Sequence, residues 1–112
     1  GGDITSTGVT ANTSTVQDRL IIQTNSSGTA AAGFGGGILF QGESSKTDSR
    51  DMARISSVWT TATDASRRSD IIFSNANNTA LSEGMRIVSA VIPYITIGAS
   101  ANTWSFPPGK LL

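Results

Sequence analysis

The sequence predicts an all-β chain of short antiparallel strands joined in a meander. Three observations carry this reading. Runs rich in β-branched and aromatic residues recur at short intervals, and turn-forming clusters separate them. No amphipathic helical period intervenes, which argues against the crossovers a parallel sheet needs.

Residues 1–17 (GGDITSTGVTANTSTVQ) are small and polar with no sustained period, and read as a linker or irregular lead-in. An opening Gly1-Gly2-Asp3 without methionine suits a cleaved tag or an excised fragment. The β-meander is expected over 18–98, and 99–112 forms a closing turn and strand segment. The first expected strand is "DRLIIQT" (Asp18 to Thr24), followed by the glycine-rich "NSSGTAAAGFGGG", where Ala30 to Ala32 leave room only for a short helix. Four strands follow: Gly37 to Gly42, Met52 to Thr60, Ser69 to Asn75 and Ala80 to Ala90. Their separators, "ESSKTDSRD", "TATDASRR" and "ANNT", are turn chemistry. A last strand, Val91 to Gly98, carries Pro93, which confines that part to an edge or a bend because proline cannot donate to a ladder. Pro107-Pro108-Gly109 marks a turn near the end.

Side chains alternate across a strand, so two faces can be written down. One carries Ile38, Phe40, Ala53, Ile55, Trp59, Ile71, Phe73, Met85 and Ile87, and is apolar almost throughout. The other carries Leu39, Gln41, Arg54, Ser56, Ile72, Ser74, Arg86 and Val88, a mixed set. A bulge at Gly84 would reverse the last of these strands.

Composition says how such a sheet is stabilised. The apolar fraction is 38%, yet Leu, Ile, Val and Phe make up only about a fifth of the chain, near the lower edge for a globular core. An isolated domain this sparing with bulky side chains is marginal against its ordering entropy, so burial between copies of the chain is expected. Three consecutive glycines, Gly35, Gly36 and Gly37, stand directly before Ile38, Leu39 and Phe40. Glycine there marks either a plain loop leading into the sheet or a place where another backbone comes too close for a Cβ.

From Gly28 to about Gly98 the order of segments is distinctive. "GTAAAGFGGGILFQGE", "DMARISSVWTTATDASRRSDIIFSN" and "LSEGMRIVSA" follow one another. This succession resembles a β-module of bacteriophage and prophage tail-fibre and tail-spike proteins, often found upstream of an endosialidase-type intramolecular chaperone. The ending "NTWSFPPGKLL" is similar to Thr-Trp-Ser/Thr-Phe segments of such fibres, and together the matches cover roughly two-thirds of the chain. The sequence departs from that pattern after Ala90, where Val91-Ile92-Pro93-Tyr94 replaces a glycine-asparagine turn.

The resemblance implies a homotrimeric fibre, a triangular β-prism or intertwined β-structure whose apolar faces meet inside. Ile38, Phe40, Ile55, Trp59, Ile71, Phe73, Met85 and Ile87 would then pack the trimer, and Gly35 to Gly37 would crowd its axis. It further implies a virion protein, extracellular to the host, that attaches to a bacterial surface glycan or other receptor. Two other readings use the same strands: a monomeric carbohydrate-binding β-sandwich, and a fragment of a polysaccharide-degrading spike.

The chemistry left open by composition is narrow. There is no histidine and no cysteine, so Ser-His-Asp and Cys-His catalysis and imidazole or thiolate metal sites are excluded. Acids and bases balance, 8 against 8, which lacks the basic surplus of a nucleic-acid binder. No apolar run approaches the roughly 18 residues of a membrane helix. Asp48, Asp51, Asp64, Asp70 and Glu83 are the carboxylates available for glycoside cleavage, but all lie in or beside turns, where capping and surface pairing account for them. "GFGGG" lacks the Gly-Lys-Ser/Thr of a phosphate loop, and no calcium-loop spacing occurs. The chain is therefore read as non-enzymatic, without cofactor or metal.

Arg54 and Arg86 fall at corresponding places on neighbouring strand candidates and are expected to pair with Glu83, Asp51 or another chain's carboxylate, fixing register between subunits. Trp104, Tyr94, Arg67 and Arg68 are the candidate receptor contacts: the rings for stacking on sugars, the arginines for an anionic lipopolysaccharide. Trp104 and Phe106 either plug the end of the trimer or face solvent. The loops "ESSKTDSRD" and "TATDASRR" are the segments expected to meet a receptor.

Overall fold

The computed structural model describes residues 2–98 and the backbone of 104–106. The turn expected at Pro107-Pro108-Gly109 and the side chains of Trp104 and Phe106 lie outside these residues. The described part is all-β, a single six-stranded antiparallel sheet in which each strand pairs with the next in sequence. The strands are β1 (Gly35–Gly42), β2 (Arg50–Thr61), β3 (Arg68–Asn77), β4 (Ala80–Val88), β5 (Tyr94–Ile97) and β6 (Trp104–Phe106). A single 3-10 turn at Asp64–Ser66 interrupts the β2–β3 connection.

Local chemistry explains the turns. Gly33 holds φ at +92°, and Phe34 N–H donates to the Ala31 carbonyl at 3.1 Å, closing a β-turn with glycine at its third position. Gly33 N–H then donates to the Trp59 carbonyl (2.7 Å) and Trp59 N–H to the Phe34 carbonyl (2.9 Å), which carries the β1–β2 pairing one step beyond the strand. Asn78 and Thr79 form a two-residue hairpin between Asn77 and Ala80, with Asn78 at φ +61°, a conformation asparagine tolerates better than most residues. β5 starts directly after Pro93, as a residue that cannot donate to the ladder requires.

The register places the faces. Ile38 lies opposite Ile55, Ile55 opposite Phe73, Phe73 opposite Met85 and Met85 opposite Ile97. Ile71 lies opposite Ile87 and Ile87 opposite Ile95, while Phe40 faces Ala53 and Trp59 faces Ser69. Directly opposed residues share a side of the sheet, so the whole apolar set expected from alternation lies on one face. The second face carries Leu39, Arg54 and Ser74 in one row and Ser56, Ile72 and Arg86 in the next.

Gly84 is the extra residue of a bulge: Phe73 pairs with Met85, but Ser74 pairs with Glu83. Met85 and Ile87 keep their expected side. The bulge acts on what precedes it, because Glu83 and Arg86, three apart in a strand, would otherwise point to opposite faces.

Two expectations are corrected. Asp18 to Thr24 is not a strand; no residue from 2 to 34 is. The segment Ile22 to Thr24 passes over the apolar face at Gly36 rather than lining up beside β1, so its backbone has no ladder to join. Arg54 and Arg86 do not sit on neighbouring strands, since β3 runs between β2 and β4.

No apolar side chain is buried among the described residues; Asp70 is the only buried residue. A folded monomer of 11.6 kDa exposes about 5,800 Å². This chain exposes 9162 Å². Its radius of gyration, 17.4 Å, exceeds the roughly 13 Å of a compact domain of this length.

Candidate functional site

The apolar face is the dominant surface. In the single chain Ile95 is 38% exposed and Phe40 47%, with Ile55, Ile38, Ile71 and Ile97 between them or equal to them. Trp59, Phe73, Met85 and Ile87 on the same face are half-buried, and Trp59 shares a cleft with Ile22 to Thr24 of the N-terminal segment. A sheet one layer thick shields its side chains from the sides but not from above. Contiguous apolar area of this kind is rare on a free monomer surface.

Each of the three glycines meets a different neighbour. A Cβ on Gly35 would overlap the Ser57 carbonyl oxygen, and one on Gly37 would lie 2.8 Å from the Ile55 carbonyl oxygen. Backbone therefore does approach backbone here, and the approaching strand is the chain's own β2. Gly36 points to the apolar face, where a Cβ would come within 2.8 Å of Thr24 Oγ1. The missing side chain is what lets the N-terminal segment cross β1 at that point. On the opposite face Gly35 and Gly37 leave an open groove of about 390 Å³ bordered by Leu39, Arg54, Ser56 and Val58.

The mixed face holds an ionic cluster centred on Arg86. Its Nη1 donates to Asp70 Oδ2 at 2.7 Å, while Nε and Nη2 donate to Glu83 Oε1 at 3.0 and 2.6 Å. Ser89 N–H donates to the second Asp70 oxygen, Oδ1, at 3.1 Å. Asp70 is 3% exposed, so both of its oxygens are spoken for as a buried carboxylate requires. The hydrogen bonds from Arg86 to Glu83, then to Asp70, hold the guanidinium pKa above its ordinary value. Arg86 thus pairs with Glu83 as its sequence position suggests, and also with Asp70, within its own chain. Arg54 has no hydrogen-bond or ion-pair partner among the described residues. Asp51 accepts from Gln41 Nε2 at 2.8 Å.

Asp70 stands near the start of β3, as the sequence reading placed it, but its burial and its pairing with Arg86 were not anticipated. One signal was available: aspartate is depleted in strands, so an acid directly before Ile71-Ile72-Phe73 needs a partner. The Gly84 bulge then selects which partner it shares.

The candidate receptor contacts are partly brought together. Arg67, in the β2–β3 connection, lies 3.9 Å from Asp64, both exposed. Arg68 opens β3 opposite Thr61, and Tyr94 opens β5 opposite Val88. These three therefore share the end of the sheet where β3 and β5 begin, with β4 between them. Trp104 stands in register with Ile97, at the other end of β5. The loop over 43–49 lies at the opposite end of the sheet from 62–67, separated by the length of β2, roughly 35 Å. One copy cannot present both loops to a single small ligand. No three acidic side chains converge among the described residues. Compared with protein families, curated proteins and solved structures, the chain has no significant match.

Proposed function

We propose that this chain is a non-enzymatic structural segment of a phage tail fibre that assembles as a homotrimer and contributes to attachment at the host-cell surface. The observation that carries the proposal is the absence of any buried apolar side chain among the described residues of a well-paired sheet. Folding as seen removes only about 45% of the surface an unfolded chain of this mass exposes, where roughly two-thirds is usual. A layer that has its hydrogen bonds but not its hydrophobic burial is stable when copies supply the missing layer.

Three copies, each turning its apolar face inward, would enclose Ile38, Phe40, Ile55, Trp59, Ile71, Phe73, Met85 and Ile87. The threefold order and the fibre context rest on the tail-fibre resemblance of the ordered segments from Gly28 to Gly98. Receptor contact, to a polysaccharide by that reading, falls to the loop end bearing Arg67, Arg68 and Tyr94. A sandwich needs a second sheet, and the described strands form one layer.

Light scattering on the purified chain in native buffer tests assembly: the expected particle has roughly three times the 11.6 kDa chain mass. A stable folded particle of one chain mass would refute it. Binding to cells or surface polysaccharide of a susceptible host, lost on combined Arg67→Ala, Arg68→Ala and Tyr94→Ala substitution, tests attachment. Release of reducing sugars from that polysaccharide would overturn the non-enzymatic reading.

A further inference from the structure

We infer that the N-terminal segment ending at Ile22 is an exchanged arm: its apolar residues Leu20 and Ile21 dock on the apolar sheet face of a neighbouring copy. This rests on the assembly reading above and specifies which part of one chain completes the interior of the next.

Three observations point to that occupant. First, the arm already touches the face at one place. Ile22, Gln23 and Thr24 line a cleft with Phe34, Gly36 and Trp59, and Gly36 is bare where Thr24 crosses it. Second, the arm departs from its own face immediately upstream. Exposure rises from 51% at Ile22 to 78% at Ile21 and 70% at Leu20, and Ile4, Val9 and Val16 are almost wholly exposed. Third, the arm satisfies itself rather than its own sheet: Ser6 Oγ donates to the Arg19 carbonyl at 3.0 Å, closing a loop that leaves Leu20 and Ile21 outside it. Two incompletely covered apolar surfaces, one linear and one planar, thus meet at Gly36 in every chain. Leu20 and Ile21 leave the chain's own face uncovered and are themselves exposed, so both surfaces are available to the next copy. The docking residues Leu20 to Ile22 carry no charge, and the charged pair Asp18 and Arg19 lies directly upstream of them.

Leu20→Asp with Ile21→Asp in the full-length chain is the first test. Both residues are exposed in one chain, so the substitutions leave an isolated sheet nearly unaffected. In the assembly they place two carboxylates against an apolar face, and the concentration for half-dissociation is expected to rise at least about tenfold. An unchanged value overturns the arm. A second test decides between exchange and return to the same chain, and uses the absence of cysteine from the sequence. Leu20→Cys is combined in one chain with Ile55→Cys, and in another with Ile71→Cys, and each is oxidised in native buffer. Disulfide-linked dimers and trimers in either pair, absent from the single-cysteine variants, support exchange. Bridges only within one chain, or none in either pair while the native mass remains that of an assembly, overturn the arm but leave the assembly standing. A one-chain mass for the unsubstituted protein overturns both.

Discussion

Asp70 is held by two donors, Arg86 Nη1 and the Ser89 N–H, and its environment sets the cost of losing them. Arg86 is 28% exposed, so its removal is cushioned by solvent on one side only. Arg86→Gln leaves a buried carboxylate with the Ser89 N–H as its remaining partner. The expected loss is about 2 to 3 kcal/mol, read as a lower denaturation midpoint at fixed protein concentration. The glycines give a contrast that separates backbone from side-chain crowding. Gly35→Ala drives a Cβ into the Ser57 carbonyl and is expected to cost about 2 kcal/mol. Gly42→Ala meets only the thioether of Met52, a flexible side chain that can turn aside, and is expected to change the midpoint little. Equal effects of the two substitutions would contradict the close approach of β1 to β2. The sequence left the glycines as either a plain loop or a close backbone approach, and the fibre resemblance added an axis between chains. For Gly35 and Gly37 the approaching backbone is β2, which no single-strand pattern reveals.

At the scale of elements, alternation was enough to sort side chains between faces because every connection is a hairpin or short loop and the sheet stays in sequence order. All eight apolar residues from Ile38 to Ile87 share the expected side, and the turn residues before Ala80 and at Pro93 mark true strand limits. The element that alternation misread is Asp18 to Thr24. Its composition fits a pleated surface, but a strand exists only where a neighbour accepts its hydrogen bonds, and this segment crosses a face instead. The bulge at Gly84 does not flip Met85 and Ile87 from their side; its effect is to keep Glu83 beside Arg86. Deleting Gly84 removes the bulge and leaves Glu83 two positions before Arg86, still opposite Ser74 and on the same face by plain alternation. The Glu83–Arg86 pair is therefore expected to survive the deletion. A well-dispersed two-dimensional NMR spectrum and a midpoint changed by less than about 1 kcal/mol are the expected result, and loss of the fold would contradict this register. The hairpin offers a further check. Asn78→Gly relieves a positive φ and is expected to be neutral or slightly stabilising, whereas Asn78→Val is expected to cost about 1 kcal/mol or more.

For the whole molecule, the sparse supply of bulky hydrocarbons and the exposed sheet face are two views of one deficit. Side chains such as Ile55 and Ile71 keep about two-fifths of their surface open in the single chain, and covering each contributes roughly 0.5 to 1 kcal/mol. Summed across the face, that is comparable with the entire stability of a small domain. Ile71→Glu is therefore expected to shift the protein toward single chains or aggregates, with the mass falling as concentration is lowered. What the sequence could not convey is how the copies contact one another, because neither periodicity nor composition encodes the relative placement of separate chains. The most direct measurement is the solution mass of the unsubstituted chain across a dilution series, taken together with its unfolding. The account predicts about three chain masses and a midpoint that rises with concentration. A particle of 11.6 kDa that unfolds cooperatively at a concentration-independent midpoint would contradict it.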